Sequence, residues 1–171
     1  MAAVERDLRW LLDRAAIEDV LYRYSRALDR EDWALLRSCY HPDGIDDHGR
    51  FRGDVEGLIE WLKDDNGGYL ATTHFLGNTL IEIEADVAWA ETYCVATHRQ
   101  PPAVDGGPAW DVVNRVRYWD RFERREGEWR IAHRVVVRDP GREDPVVSEA
   151  PPHPGSTMGR RGGDDPTYRR S

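Results

Sequence analysis

The sequence has little of the residue types that build a scaffold around disulfides or metal ions. Its 171 residues include two cysteines, Cys39 and Cys94, and no CxxC pair. Such a set favours neither a zinc finger nor a disulfide framework, and we expect both thiols to be buried apolar side chains. The six histidines show no HxxxH, HExxH or HxH spacing, so the sequence predicts no metal site.

Motifs for nucleotides and for nucleic acids are also absent. There is no GxGxxG, GxxxxGK[ST] or GxSxG segment, which leaves dinucleotide, nucleotide and α/β-hydrolase functions without local support. We therefore expect any catalysis to use side chains alone, without a cofactor. Lys and Arg number 24 against 32 Asp and Glu, a net charge of −8, and this charge would repel a phosphate backbone. No nucleic-acid partner is expected.

Long apolar runs are missing as well. None approaches the roughly 18 residues of a membrane span, and charges interrupt the first ten residues where a signal peptide has its apolar core. The sequence predicts a soluble cytoplasmic protein without a membrane partner. Hydrophobic residues still make up 40% of the chain and aromatic residues 10%, which is too much for a disordered chain and fits one compact domain.

The first third of the sequence has helical periodicity. Apolar residues recur every three or four positions from residue 8 to residue 28, which predicts an amphipathic helix over about residues 4–29. A short helix around Trp33 follows, then a turn at 41–44 and a third helix that starts after Asp54 and ends at 66–68.

From Tyr69 onwards the apolar period is close to two. This period is typical of antiparallel strands with one buried face. Two long hairpins are predicted, with turns at 85–86 and 126–127. Helices followed by a meander of strands indicate an α+β fold, with the helices packed on the concave face of a curved sheet.

The C-terminal part, residues 139–171, is predicted to be a Pro/Gly-rich tail outside a domain of residues 1–138. From Arg138 onwards the chain holds six of its ten prolines and very few aliphatic residues, too few for a core. The tail is either a flexible, extended linker or an arm that docks on a neighbouring subunit, with Tyr168 as its anchor.

Two side chains inside the predicted domain suggest acid–base chemistry. The imidazole of His74 could accept a proton at neutral pH if a carboxylate held its other nitrogen. Asp29, at the end of the helix that crosses the concave face, could be that carboxylate. The alternative is a core histidine bonded to a backbone carbonyl and an aspartate that caps the helix.

Arg134 and Tyr24 are two further candidates. Arg134 lies in the apolar segment RIAHRVVV, where a buried guanidinium needs an acidic partner or an anionic ligand. The alternative is a solvated basic face, because strand alternation puts Arg130, Arg134 and Arg138 on one side. Tyr24 precedes Asp29 by five positions, about 140° around a regular helix, so both can face one pocket only if the helix frays near Leu28.

Three separated segments resemble the SnoaL-like branch of the nuclear-transport-factor-2-like superfamily. They are AAIEDVLYRYSRALDREDWALLRSCYHPDG, THFLGN and RYWDRFERREGEWRIAHR. This branch includes scytalone dehydratase, bile-acid 7α-dehydratase and hexachlorocyclohexane dehydrochlorinase. The resemblance covers about residues 5–139 and implies a cone-shaped curved sheet wrapped around a long helix, with a deep, largely apolar pocket inside.

The resemblance also implies a site. Members that eliminate water or halide pair an aspartate of the first helix with a histidine of a strand, and Asp29 and His74 stand at the matching places. Tyr24 and Arg134 match a tyrosine and an arginine that accompany this pair. A cofactor-independent lyase of the dehydratase type is implied, in which His74, oriented by Asp29, removes a proton from carbon. Tyr24 would hydrogen-bond the carbonyl or the leaving hydroxyl, and Arg134 would stabilise negative charge or hold Asp29.

The aromatic content fits a flat hydrophobic substrate such as a steroid, polyketide or terpenoid. Candidate pocket walls, each of which could instead be ordinary core, are Trp33, Tyr40, Phe75, Trp89 and Trp110. The same pocket supports isomerisation and polyketide cyclisation in the superfamily, so the fold alone does not choose the reaction. Non-catalytic alternatives are a small-molecule-binding or assembly subunit and a protein-interaction module that exposes an apolar sheet patch. The resemblance further implies a homo-oligomer, with a trimer expected and a dimer as the alternative.

Overall fold

The computed structural model describes residues 2–66, 68–148 and 151–169. In chain order the elements are α1 (Ala2–Arg30), α2 (Trp33–Ser38), β1 (Tyr40–Asp47), β2 (Arg52–Gly53), α3 (Val55–Asn66), β3 (Ala71–Glu84), β4 (Val87–Gln100), β5 (Trp110–Arg125), β6 (Glu128–Pro145) and a 3-10 turn (Pro166–Tyr168). The strands form one open, curved sheet in the order β2-β1-β6-β5-β4-β3, in which only β1 and β6 are parallel. The predicted α+β fold is confirmed.

Helix α1 lies across the concave face of the sheet, where it contacts β3 and β6. One side of the helix is apolar at the helical period, and its buried residues join the main core: Ile17, Val20, Leu21, Tyr24, Ala27 and Leu28. In the N-terminal half of the helix, Asp13 accepts hydrogen bonds from Trp129 Nε1 and Arg124 Nη1, both at 2.9 Å. This carboxylate fixes the N-terminal half of α1 to the β5–β6 hairpin.

Both predicted hairpin turns are confirmed. Glu84 pairs with Val87, and Arg125 pairs with Glu128, so each connection has two residues. Glu126 and Gly127 have φ angles of 55° and 85°, the left-handed pair that suits the twist of a tight hairpin. No helix within the described ranges is long and apolar enough to cross a membrane, and both cysteines are free and buried, as expected.

The predicted turn at 41–44 is wrong, because these residues belong to strand β1. The strand is irregular there: Tyr40 pairs with Ile131 and Ile45 with His133, so the residues between them form a bulge without regular pairing to β6. Gly44 comes so close to β6 that an added Cβ would lie 2.9 Å from the Ile131 carbonyl. The Pro-Asp-Gly signal therefore marks a bulge in a strand that continues.

A second bulge, at Ala132, changes which side chains of β6 face the core. Phe122 pairs with Ile131 and Arg121 with His133, which leaves Ala132 as the extra residue. Strand alternation therefore does not place Arg130 and Arg134 on one side of the sheet. Arg130 bonds Glu128 at the surface, while Arg134 is fully buried.

The segment after residue 138 is more ordered than a tail. Strand β6 continues to Pro145, which pairs with Trp110. Further on, the 3-10 turn packs on α1 of the same chain. The Tyr168 hydroxyl donates to Asp32 at 2.9 Å, and the Arg26 guanidinium lies 4.5 Å from the centre of the Tyr168 ring. Tyr168 is thus an anchor within its own chain, and docking on a neighbouring subunit stays a prediction.

An ion pair lies in the core between β5 and β6. Arg134 donates from Nε and Nη2 to the two Asp120 oxygens, each at 2.7 Å, and neither side chain is exposed to solvent. The guanidinium carbon lies 3.9 Å from the centre of the Tyr24 ring and 4.1 Å from that of Tyr118. The acidic partner that a buried arginine requires is therefore Asp120.

Removing one member of this pair should be costly. We expect Asp120→Asn to lower the free energy of unfolding by about 3–5 kcal/mol, because the guanidinium would stay buried without its counter-charge. Urea denaturation followed by circular dichroism measures the change. Glu128→Gln, which breaks the solvent-exposed pair with Arg130, is the control and should have little effect. Equal effects of the two substitutions would contradict this account.

Candidate functional site

A cavity of about 390 Å³ opens between α1, α3 and the concave face of the sheet. This volume is within the usual range for small-molecule sites. The lining residues are Leu28, His48, Arg50, Trp61, Leu62, Asp65, Tyr69, His74, Ala96, His98, Gln100, Val112, Asn114, Val116, Tyr118, Val136, Arg138 and Glu143. About half of them are polar, so the cavity is less apolar than the resemblance implied.

His74 lines the cavity, and Asp29 contacts it from behind the lining. Asp29 Oδ1 lies 2.7 Å from His74 Nδ1, and Oδ2 accepts the His74 backbone N–H at 3.0 Å. The carboxylate is thus bonded at both oxygens to one residue and cannot rotate. Because a carboxylate only accepts, Nδ1 carries a proton, and in the neutral ring the lone pair of Nε2 is left for another molecule. Nε2 makes no hydrogen bond to any described residue.

The last turn of α1 stays helical through Arg30, so the helix does not fray near Leu28. Asp29 therefore faces β3, while Tyr24 faces the core ion pair described above. Tyr24 is fully buried, and its hydroxyl has no hydrogen-bond partner among the described residues. Burial raises the pKa of the Tyr24 phenol, with the charge of Asp46 acting in the same direction, so this group is a neutral phenol at neutral pH.

Neither Tyr24 nor Arg134 lines the cavity. Both contact the ring of Tyr118, which does, and they lie behind this part of the wall. Arg134 pairs with Asp120 rather than with Asp29. The structure thus brings two of the four predicted catalytic residues together at the cavity and places the other two in the core beneath it.

None of the five predicted wall residues lines the cavity, which has Trp61, Tyr69 and Tyr118 as its aromatic residues. Phe75 follows His74 directly in β3 and so points to the opposite face, where it is 71% exposed. Trp89 lies between the buried Ala88 and Ala90, and the same alternation turns it outwards. The remaining three are Trp33, which packs on the core, Tyr40, which is buried within it, and Trp110, which is half-buried at the start of β5.

His98 is a further cavity residue, one that no sequence motif marks. Its ring meets the His74 ring edge-on at 5.4 Å and lies 4.9 Å from the Tyr69 ring. The alternation of Cys94, Ala96 and His98 along β4 is the signal that could have found it, since the first two are buried on the concave face.

Two neighbours determine which His98 nitrogen carries the proton. Arg138 donates to Asn114 Oδ1 at 3.0 Å, so the Asn114 amide nitrogen faces His98 Nδ1, at 3.3 Å. The amide nitrogen only donates, hence Nδ1 accepts and the proton of the neutral ring is on Nε2. Burial lowers the pKa of His98 to about 4, and the neighbouring His74 acts in the same direction. His98 is therefore uncharged at neutral pH.

This low pKa makes stability depend on pH. The unfolded chain binds a proton at His98 near pH 6.5, whereas the folded chain binds it only near pH 4. The contribution is complete above about pH 6.5 and is lost as the pH falls towards 4. We expect the free energy of unfolding to fall between about pH 7 and pH 5 by about 2 kcal/mol more in the wild type than in His98→Gln.

Urea denaturation at the two pH values measures this difference. His153→Gln is the control, because His153 is exposed, and it should keep the wild-type pH dependence. If His98→Gln kept that dependence too, His98 would not be held neutral by the fold.

The comparisons with known proteins agree with this architecture. Two uncharacterized mycobacterial proteins, Rv2910c of Mycobacterium tuberculosis and Mb2934c of Mycobacterium bovis, are each 30% identical over 131 residues, which is 74% of this chain and 85% of the relative. Among solved structures, LinA-type3, a hexachlorocyclohexane dehydrochlorinase from Novosphingobium barchaimii, superimposes with a TM-score of 0.74 at 20% identity, over 85% of this chain and 99% of that one. A candidate scytalone dehydratase from Novosphingobium aromaticivorans has a TM-score of 0.66 at 19% identity, over 77% and 87%.

At these identities the two structures show a shared fold. The family model for the SnoaL-like domain matches residues 9–135. This match spans α1 to the middle of β6 and includes Asp29, His74 and His98. The chain therefore belongs to the SnoaL-like domain family.

Proposed function

We propose that this protein is a cofactor-independent lyase that removes a proton from carbon and then expels a hydroxyl group from the adjacent carbon. The observation that carries the proposal is the two-point attachment of His74 to Asp29 with Nε2 left free at an open cavity. A histidine that only filled the core would have both ring nitrogens occupied. Here one is fixed and the other is available to a ligand.

The attachment suits a general base. The bond from Nδ1 to Asp29 holds the ring in one tautomer and one orientation, and the carboxylate stabilises the imidazolium that forms when Nε2 takes a proton. A hydrogen next to a carbonyl is acidic enough for an imidazole to remove, and general-base catalysis of this kind contributes 10²–10⁴-fold. The electrons of the C–H bond form the new double bond as the C–O bond breaks.

The cavity suits a small polycyclic substrate such as a polyketide, a terpenoid or part of a steroid. Trp61, Tyr69 and Tyr118 provide flat apolar surfaces, while Gln100 and Arg138 lie among polar lining residues and could bind ring substituents. Tyr24 and Arg134 are one layer further away. They would touch the substrate only if Tyr118 moved, so in this arrangement they act on the cavity through the Tyr118 ring.

The structural neighbours support the elimination chemistry. One is called a dehydrochlorinase and the other a candidate scytalone dehydratase, and both names denote loss of a small group from adjacent carbons. A double-bond isomerase would share the proton abstraction but would keep the hydroxyl in the product. The product therefore separates these two functions.

The bicyclic β-hydroxy ketone 3-hydroxy-1-tetralone is a suitable probe, because loss of water from it gives fluorescent 1-naphthol. We expect His74→Ala and Asp29→Asn each to lower the rate of naphthol formation at least ~100-fold, since each disables the general base. Exchange of the hydrogens next to the carbonyl in D₂O, followed by NMR, measures proton abstraction separately and should fall in parallel.

His153→Ala is the control, since this histidine lies on the exposed C-terminal segment, and circular dichroism verifies that each variant is folded. A folded His74→Ala protein with full activity would rule out the mechanism. A wild-type protein that binds the probe but neither exchanges its hydrogens nor forms naphthol would favour a binding protein instead.

A further inference from the structure

A second histidine of the same cavity is also held by an aspartate. His48 follows β1 and lines the cavity, and its Nδ1 is hydrogen-bonded to Asp46 Oδ1. The ring packs against Trp61 at 5.5 Å, and the His48 backbone N–H donates to the Phe51 carbonyl at 2.8 Å. Ring and backbone are thus both fixed. Nε2 makes no hydrogen bond to any described residue.

The aspartate of this pair is fixed as firmly as the histidine. Asp46 is fully buried, and the Tyr40 hydroxyl donates to its Oδ2. Both carboxylate oxygens are therefore occupied, one by a phenol and one by an imidazole. Tyr40, expected above as a pocket wall, instead orients the carboxylate that orients His48.

The proposed elimination gives the two aspartate-held histidines different tasks. It needs one group that takes a proton from carbon and another that gives a proton to the leaving hydroxyl. His74 has the first task. Burial lowers the pKa of the third cavity histidine, His98, to about 4, so His98 is uncharged at neutral pH and is a very weak acid. His48, whose ring is fixed by Asp46 at the same cavity with Nε2 unoccupied, is left for the second task.

We propose that His48 is the general acid of the cavity, which protonates the leaving hydroxyl, and that Asp46 and Tyr40 are its positioning residues. This inference rests on the proposed lyase function and adds the second proton transfer to it. His74 Nε2 takes the proton from carbon, the C–H electrons form the double bond, and the C–O electrons leave with oxygen. That oxygen takes the Nε2 proton of His48 and departs as water. His74 then loses a proton to solvent and His48 regains one, so the cycle is balanced.

A pair of probes that differ only in the leaving group tests this role. Both 3-hydroxy-1-tetralone and its acetate ester give 1-naphthol, but acetate leaves without needing a proton. We expect His48→Gln to slow loss of water by about 10²–10³-fold and to leave loss of acetate within about threefold of the wild type, because only the hydroxyl requires a general acid. His74→Ala should slow both, since the base is common to the two reactions.

The ratio of the two rates separates an acid from a structural residue. His41→Gln is the matched control: His41 lies on β1, the strand that His48 follows, but its Nε2 bonds the Glu123 carbonyl at 2.9 Å and it does not line the cavity, so the ratio should not change. Asp46→Asn and Tyr40→Phe should shift the ratio in the same direction as His48→Gln, by smaller factors. Equal slowing of both probes in His48→Gln, or no slowing of either, would overturn the proposal.

Ring ¹⁵N NMR of the wild type gives a readout independent of turnover. We expect Nε2 of His48 to carry a proton and the ring resonances of His48 to shift in Asp46→Asn. An Nε2 without a proton would overturn the proposal whatever the rates show. Failure of the wild type to act on either probe would count against the lyase function itself, and the general acid would fall with it. If the wild type releases acetate and His48→Gln does not slow loss of water, the role of His48 is wrong but the lyase function stands.

Discussion

Helix α1 is held to the sheet by two carboxylates, one in its N-terminal half and one in its last turn, and the cavity depends on this arrangement. Asp13 is bonded to Trp129 and Arg124 of the β5–β6 hairpin, and Asp29 to the backbone and ring of His74 in β3. Sixteen residues of helix, about 24 Å, separate the two. The helix is therefore held at a fixed distance from the concave face of the sheet. The cavity is the space that remains beside its last turn.

Three aspartates of the domain hold different groups in place because their hydrogen-bond partners differ. Asp120 shares both oxygens with one guanidinium, so its charge is neutralised and it serves stability. Asp29 binds two N–H groups of one histidine, and Asp46 binds a phenol and an imidazole. Burial alone would make each carboxylate costly. A guanidinium partner makes the carboxylate part of the core, whereas an imidazole partner makes it hold a ring that lines the cavity.

The sequence predicted most helices and strands, but it predicted less well which side of the sheet each side chain faces. Helical and strand periods located α1, α3 and the two long hairpins, and the Glu126-Gly127 dipeptide located a turn, because these signals are local. A β-bulge cannot be recognised from the apolar period of the sequence. The extra residue at Ala132 separates Arg130 from Arg134, and the irregular start of β1 looked like a turn because Pro-Asp-Gly favours both.

The candidate site was predicted through the resemblance for Asp29 and His74, and the 140° separation explains why Tyr24 faces elsewhere. Aromatic size alone does not identify the wall residues, because side chains alternate between the two faces of a strand. Phe75, one position from His74, lies on the opposite face. His98 could have been found from the alternation along β4. His48 could not, since it follows a strand that was interpreted as a turn, and its partner Asp46 is buried only because β1 continues.

The C-terminal segment completes the end of the helix that carries Asp29. A helix leaves its last carbonyls without partners, and such ends fray. Here the Gly162 N–H donates to the Arg30 carbonyl at 2.7 Å, and Asp165 pairs with the Arg30 side chain at 3.2 Å. Arg161 contacts Glu31 and donates to the Tyr69 carbonyl at 2.7 Å, and Tyr69 is a cavity residue that contacts His98. A segment without a core of its own thus contacts both the last turn of α1, which carries Asp29, and the Tyr69 part of the cavity wall.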